Sequence, residues 1–438
     1  MSNIADTPRD ASRRPGLSRR QFLGRSMAAS IAAMTVPTII PASAWGANNR
    51  LSVGMIGMGK MMGGHLNALL GRDDVHVAAL CDCEAVRLGV HKARVEEVYA
   101  QRYDNGSYTG CDAYGDFRDL TARTDIDAVV ISTPDHWHAL NALAAIRTGK
   151  DVYCEKPLTL TIEESKKLVE ETRRYGRVFQ TGSQQRSGRE FRTACELVRN
   201  GRIGKVKEVH VNVGGPPREC FLPAEPTPEG LDWDMWLGPA PWRPYHSDIA
   251  PDMDYPGWPN FRAYRDYAGG SMTDFGTHHF DIAQWALGMD HTGPVEVHPP
   301  GGDRPHLTYV YANGIPMYRS GQHGHNVTFI GEYGNVYVSR GHIGTDPAHL
   351  LDEPIGPNEI RLYNSPGHMQ DWLNCIRTRN RPLCDVSIGS RSVNLCHIGN
   401  IAYWLNRSLY WDPEVERFVN DDEANRLLHR PMREPWRL

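Results

Sequence analysis

The sequence is poor in the features that mark several protein classes. Its nine cysteines stand at 81, 83, 111, 154, 195, 220, 375, 384 and 396, an odd number with no repeated spacing and no CxxC. That pattern argues against a disulfide framework and against a zinc ribbon. No basic block interrupts the body of the chain and the net charge is −4, so a nucleic-acid partner is not expected. HExxH spacing is missing, and no metal is expected. Internal repeats and low-complexity tracts are missing too. With 40% hydrophobic residues, disorder and collagen-like architecture are excluded. The one sustained apolar stretch near the N-terminus, residues 26–40, contains Ser, Thr and Pro. It is too short to span ~30 Å of hydrocarbon as a durable anchor, so no stable membrane anchor is expected.

What is present begins with an address. Ser18-Arg19-Arg20-Gln21-Phe22-Leu23 precedes that weakly apolar stretch, and Ala42-Ser43-Ala44 follows it. Paired arginines, a mild apolar region and a small-x-small site predict a twin-arginine export signal over residues 1–44. The expected partner is the twin-arginine export machinery and the expected location is periplasmic or otherwise exported. That route carries folded proteins, which fits scattered cysteines without a pairing pattern. The signal holds six arginines against Asp6 and Asp10, so the remaining chain is more acidic than the whole.

From Leu51 the text alternates between strand and helix. Strands are predicted at 51–57, 76–82, 127–134, 151–157 and 177–182, with helices between them, including 85–103, 138–148 and 161–175. The run Asp127–Pro134 is continuously apolar at its centre, as a parallel strand covered on both faces requires. Such alternation implies a parallel sheet with right-handed crossovers. Residues 214–260 then bring 11 prolines with Trp233, Trp236, Trp242 and Trp258, an irregular excursion too aromatic for a linker. Beyond it a helix is predicted over 271–287. Strands at 307–312, 317–320, 327–331 and 335–339 have hairpin-like spacing that suggests antiparallel sheet. Late helices are expected near 368–378 and 388–406. The length fits two domains: 50–182, and 183–405 with the excursion inside it, followed by a tail, 406–438.

Gly57-x-Gly59 closes the first strand and opens the first helix, where glycines let backbone N–H groups approach a pyrophosphate. Asp82 ends the second strand, where a carboxylate accepts from a ribose 2′-OH. It would repel a 2′-phosphate, which favours NAD over NADP, although Arg87 stands nearby. The third glycine of the fingerprint is replaced by Met62, which is expected to loosen helix–strand packing. Ser132-Thr133-Pro134 ends the third strong strand and faces the same crevice. Glu155-Lys156-Pro157 does so from the next, and Lys156 is a candidate to bind a substrate hydroxyl. In Gly269-Gly270-Ser271-Met272-Thr273-Asp274-Phe275-Gly276-Thr277-His278-His279-Phe280-Asp281, Asp274 and His278 are four apart, on one expected helix face. An Asp there would orient the imidazole and raise its basicity for proton abstraction.

These motifs together resemble the Gfo/Idh/MocA oxidoreductases, over residues 50–405. The resemblance implies an α/β fold: an N-terminal Rossmann domain and a C-terminal α/β domain with a large open, mainly antiparallel sheet. It implies Lys156, Asp274 and His278 as the catalytic group. Cofactor contacts would come from Gly57, Met58, Gly59, Lys60, Met61, Asp82, Ser132, Thr133, Pro134, His138, Glu155 and Lys156. Substrate contacts would come from Trp137, Arg262, Arg265, His279 and His325. Asp135 stands where Asn is commoner in the family. The implied activity is NAD(P)-dependent oxidation of a secondary hydroxyl of a sugar, polyol or glycoside, with a tightly bound, recycled cofactor. One alternative is a redox-neutral NAD-dependent glycosidase or lyase working through a transient keto-sugar. Another is a non-catalytic sugar-binding protein. A homo-oligomer, dimer or tetramer, is the expected assembly.

Overall fold

The computed structural model describes residues 50–103 and 106–438; the predicted export signal lies outside the described residues. The first domain contains β1 (Leu51–Ile56), α1 (Lys60–Leu70), β2 (Val75–Cys81), α2 (Ala85–Tyr103), β3 (Asp112–Tyr114), α3 (Phe117–Ala122), β4 (Ala128–Ile131), α4 (Asp135–Arg147), β5 (Asp151–Cys154), α5 (Ile162–Arg174) and β6 (Phe179–Thr181). Its six strands are ordered β3-β2-β1-β4-β5-β6 and all pair in parallel. Strand order reverses between β1 and β4, so a crevice opens at the carboxyl ends of these strands. β4, Ala-Val-Val-Ile, is apolar and buried at every position, as a parallel strand covered by helices on both faces requires. Thr161 and Glu164 form a reciprocal capping box that starts α5. The short edge strand β3 has no apolar run to signal it, being largely exposed. Met62 is fully buried among Val53, Met55, Val77 and Val130. The methionine thus fills the helix–sheet interface that a third glycine would leave to backbone contact.

The second domain is built on α6 (Arg189–Arg199), β7 (Val206–Val211), α7 (Trp233–Leu237), α8 (Ser271–Asp274), α9 (Gly276–Leu287), β8 (Pro294–His298), β9 (Thr308–Tyr311), β10 (Pro316–Arg319), β11 (Val327–Gly331), β12 (Asn335–Ser339), β13 (His342–Asp346), α10 (His368–Thr378), α11 (Val386–Leu405), β14 (Leu409–Asp412), β15 (Arg417–Phe418) and α12 (Asp422–Arg426). Nine strands run β13-β12-β11-β7-β10-β9-β8-β14-β15. Pairing is antiparallel except between β7 and β10. Val209, Val211, Tyr309, Met317, Phe329, Val336 and Val338 face a core shared with Phe191, Phe280, Ile282, Ile398 and Ile401 of the helices.

Three assignments differ from the sequence reading. The helix expected over 271–287 is broken at Phe275 into α8 and α9. Two carbonyls at the break are taken by side chains: Thr277 Oγ1 donates to Thr273 O at 2.9 Å and Lys156 Nζ to Asp274 O at 3.2 Å. Residues 406–438, expected to be a tail, add β14 and β15 to the second sheet and then return to the first domain, where the Trp436 ring lies 4.8 Å from that of Trp137. Helix α10 also returns, burying Trp372, Leu373, Cys375 and Ile376 among residues of β1, β2 and β4.

Arg186 ties these pieces together. Fully buried, it donates to Asp281 at 2.8 Å from both Nε and Nη2 and to Asp290 at 2.7 Å. Asp281 also accepts from Ser392 of α11. All nine cysteines are free thiols, seven of them buried. No helix among the described residues is long and apolar enough to cross a membrane.

Arg186→Met strips the partner from two carboxylates, one of them fully buried. The expected loss is ~3–5 kcal/mol of unfolding free energy, measured by denaturant titration; a loss under 1 kcal/mol would contradict this account.

Candidate active site

A cavity of about 630 Å³ lies along the carboxyl ends of β1, β2, β4 and β5 and is completed by the second domain. Gly57 forms its floor with φ +88°, and a Cβ there would come 2.7 Å from Thr133 N. Both the positive φ and the close approach demand glycine. At Gly59, the residue preceding α1, a Cβ would meet nothing within 4 Å. The turn therefore leaves open space over the helix N-terminus, the geometry of a pyrophosphate cradle. Asp82 steadies this turn: its Oδ2 accepts from Met58 N at 2.6 Å and its Oδ1 from Glu84 N at 2.8 Å. Burial pushes the Asp82 carboxyl above its ordinary range, opposed by those two backbone bonds. Arg87 is engaged elsewhere, with the Glu84 carboxylate and the Pro251 carbonyl. These residues fit a nicotinamide dinucleotide.

The end of β4 supplies Ser132, Thr133 and Pro134 to the cavity. Asn141 Nδ2 donates to Thr133 Oγ1 at 3.2 Å. His138 sits behind them, its ring nitrogens 2.7 Å from Pro157 O and 2.8 Å from Thr133 O. It staples two cavity loops together from outside the cavity lining. The end of β5 brings Glu155 and Lys156. Glu155 is held by His65 at 2.8 Å, by the Tyr153 hydroxyl at 3.2 Å and by Lys156 N at 3.1 Å. Burial pushes its carboxyl up, but His65 and then Lys156 hold it below its ordinary value.

The second domain delivers Asp274 and His278. Lys156 Nζ lies 2.6 Å from Asp274 Oδ1, and Arg262 Nε lies 3.2 Å from Oδ2. Burial pushes the Asp274 carboxyl up, yet Lys156 and Arg262 hold it below the usual carboxylate range. Arg262 in turn lies 4.8 Å over the Trp258 ring. The expected bond from Asp274 to the His278 imidazole is not the arrangement found: the carboxylate is shared by the two cations, and His278 Nδ1 is buried with no hydrogen-bond partner among the described residues. The break at Phe275 accounts for this, because the two residues belong to different helices. Burial, then Lys156 and Arg340, push the His278 pKa well below its ordinary value. The imidazole is accordingly neutral at neutral pH.

The excursion of residues 214–260 forms a wall of the cavity rather than a loose loop. Its Trp233, Leu237, Tyr245 and Ile249 form a core with Tyr264 and Tyr267, which follow it in the chain. Asp232 N donates to Cys83 O and Ala85 N to Gly230 O, each at 2.9 Å. Lys60 Nζ donates to the carbonyls of Tyr255 and Gly257. Ile249, Pro251, Asp252, Tyr255 and Trp258 thereby face the cavity.

Of the residues expected to touch cofactor, Gly57, Gly59, Lys60, Met61, Asp82, Ser132, Thr133, Pro134, Glu155 and Lys156 line the cavity. The Met58 side chain is buried in the core. Among the expected substrate contacts, Trp137 and Arg262 line it. Trp137 also spends its indole N–H on the carbonyls of Met235 and Trp236. Arg265, His279 and His325 lie elsewhere. Arg265 pairs with Glu219 and stacks over Trp404. His279 faces the Asn212 carbonyl at 2.7 Å. His325 stacks on Tyr337 and His342. Gln184 and Arg340 line the cavity without having been singled out; Arg340 lies in a hairpin turn with no motif to mark it. Among the described residues, no group of His, Cys, Asp and Glu could hold a metal ion.

Residues 51–183 match the NAD-binding Rossmann domain of the oxidoreductase family, and residues 218–438 match its C-terminal alpha/beta domain. The chain belongs to the Gfo/Idh/MocA oxidoreductase family. A glycosyl hydrolase family 109 protein from Shewanella putrefaciens is 33% identical over 154 residues, which is 35% of this chain and 33% of that protein. The chain thus spans about a third of that relative's length. The aldose-aldose oxidoreductase from Caulobacter crescentus, complexed with glycerol, superposes with a TM-score of 0.56 at 18% identity, covering 82% of this chain and 99% of that one. The myo-inositol 2-dehydrogenase from Lactobacillus plantarum gives 0.53 at 17%, covering 82% and 99%. At these identities the two structures show a shared fold.

Asp135, at the start of α4, is buried and lines the cavity. Burial, then the Asp274 carboxylate, push its pKa up to about 7. A folded-state pKa above the unfolded one lowers stability as pH rises from about 4 to about 7. At pH 8 the penalty is on the order of 4 kcal/mol. Asp135→Asn should therefore raise unfolding free energy by ~2–4 kcal/mol at pH 8 and by little at pH 4. Equal effects at the two pH values would contradict the assignment.

Proposed function

We propose that the protein is a nicotinamide-dependent oxidoreductase that oxidises a secondary hydroxyl of a sugar, polyol or glycoside and retains its cofactor between turnovers. The observation that carries this is the 2.6 Å bond between Lys156 and Asp274. It joins the two domains in a cavity that His278 and the Gly57–Gly59 turn also line. A bound nicotinamide supplies the hydride acceptor. Lys156 donates a hydrogen bond to the reacting oxygen as its proton leaves. Neutral His278 takes that proton, its burial keeping it free of competing protonation. Asp274 positions Lys156 and, with Arg262, fixes the second domain's side of the site.

Asp82, with Arg87 already committed to Glu84 and Pro251, supports NAD over NADP. The excursion supports retention, because its carbonyls hold Lys60 and its side chains wall the cavity. The twin-arginine pattern supports export, and export favours a cofactor that is kept and regenerated in place. The glycosyl hydrolase relative favours a second reading, redox-neutral glycoside cleavage in which the same residues oxidise transiently and return the hydride. A homo-oligomer across the open face of the nine-stranded sheet is part of the proposal. That face holds Ile330, Tyr337, Tyr318 and Val310, which are only half-buried.

Mass spectrometry of the purified protein should find one NAD per chain that does not exchange with labelled NAD added outside. Turnover is then measured on a panel of glycosides. Aglycone release without net absorbance change at the NADH band selects cleavage; a requirement for a second carbonyl substrate selects oxidoreduction. His278→Ala should lower kcat by ~10²–10⁴. Asp274→Asn should cost at least tenfold by releasing Lys156. A His278→Ala protein with full turnover, or a preparation without nicotinamide, would overturn the proposal.

A further inference from the structure

Arg340 differs from the other arginines around the cavity. It occupies the two-residue turn between β12 and β13, where Ser339 pairs with His342 and Gly341 takes φ +73°. That hairpin belongs to the large sheet, yet its turn reaches the cavity beside His278 and Gln184. The Arg340 side chain is exposed there. Arg87 pairs with Glu84 and Arg262 with Asp274. Arg340 has no carboxylate within ion-pairing distance among the described residues, and its one hydrogen bond is a long 3.4 Å contact to Gln185 Oε1. The nearby Glu190 directs Oε1 to the backbone N–H of Gly341, at 3.1 Å.

Lys156, Arg262 and Arg340 line the cavity together with the carboxyls of Asp274, Glu155 and Asp135. Lys156 and Arg262 are taken up by Asp274 and Glu155 by His65, which leaves Arg340 without a carboxylate of its own among the described residues. Arg340 is also close enough to His278 to help suppress its protonation.

We propose that the substrate carries a carboxylate and that Arg340 reads it, which makes a uronic acid or its glycoside the substrate class. The inference rests on the proposed hydroxyl chemistry for the position of the sugar, and names what that sugar must bear. A guanidinium with one long hydrogen bond and no carboxylate partner among the described residues can turn its planar fork to a carboxylate in a bidentate pair. A phosphate dianion would call for more donors than this turn offers. The pairing has a second effect. A carboxylate on Arg340 offsets one of the charges that act on His278, where burial and then Lys156 are the larger influences.

The test uses the purified protein with the cofactor it retains. Methyl glycosides of glucuronic, galacturonic and mannuronic acid are titrated against the matching neutral methyl hexosides by calorimetry. Glucose 6-phosphate serves as the phosphate arm. At least one uronide should bind at least tenfold more tightly than its neutral partner. In Arg340→Gln that advantage should fall to within about twofold while the neutral sugar binds as before, and Arg340→Lys should restore part of it. No uronide preference in the wild type, a preference that survives Arg340→Gln, or tighter binding of the phosphate would overturn the proposal. Relative affinity rather than rate is read, so this outcome is distinct from failure of the hydroxyl chemistry, which His278→Ala tests.

Discussion

The bond between Lys156 and Asp274 is the constraint on which the rest of the site depends. Lys156 leaves the fifth strand of the parallel sheet and Asp274 ends a one-turn helix of the other domain. Neither domain alone contains all three residues of the proposed catalytic group. An ion pair with both partners largely buried is worth little as stabilisation once desolvation is counted, but it fixes geometry, which is what a hydride transfer needs. Its second oxygen is held by Arg262. The carboxylate is thus a three-way joint between the Rossmann loops, the helix that presents His278, and the aromatic wall around Trp258.

The excursion shows how an irregular segment becomes structural. It packs Trp233, Trp236 and Tyr245 into a small core and spends polar backbone on the first domain, at Cys83, Ala85 and Lys60. The C-terminal residues close over it: Arg433 N donates to Pro239 O at 3.0 Å. Proline suits such a segment because it removes backbone donors that have no strand to join, and eleven of them lower the entropy lost on ordering it.

Much of this was legible in the sequence. Apolar runs without alternation gave the parallel strands, since burial on both faces leaves no polar positions, and Gly57, Asp82, Lys156, Asp274 and His278 were each marked by a motif. What failed to show has physical causes. The three-residue β3 has no periodicity to detect. At the helix break at Phe275 the Asp274 carbonyl accepts from Lys156, 118 residues upstream, a contact no local pattern encodes, so the spacing of Asp274 and His278 suggested a contact that the fold redirects. His279 and His325 had the right residue type, but side chains one position off a helix face or on the far side of a sheet point away from a cavity. Arg340 had no signal, because a charged residue in a hairpin turn is ordinary until tertiary structure brings the turn to a site.

The free thiols carry one more consequence. Burial raises the pKa of cysteines such as Cys154, Cys195 and Cys384 well above the ordinary thiol value, and Cys81 and Cys396 are raised as well. The thiolate is the species that attacks disulfides and oxidants. The seven buried thiols are thus kept protonated and out of reach of oxidants, while Cys83 and Cys220 are only half-buried. The described residues complete their covalent structure without a disulfide.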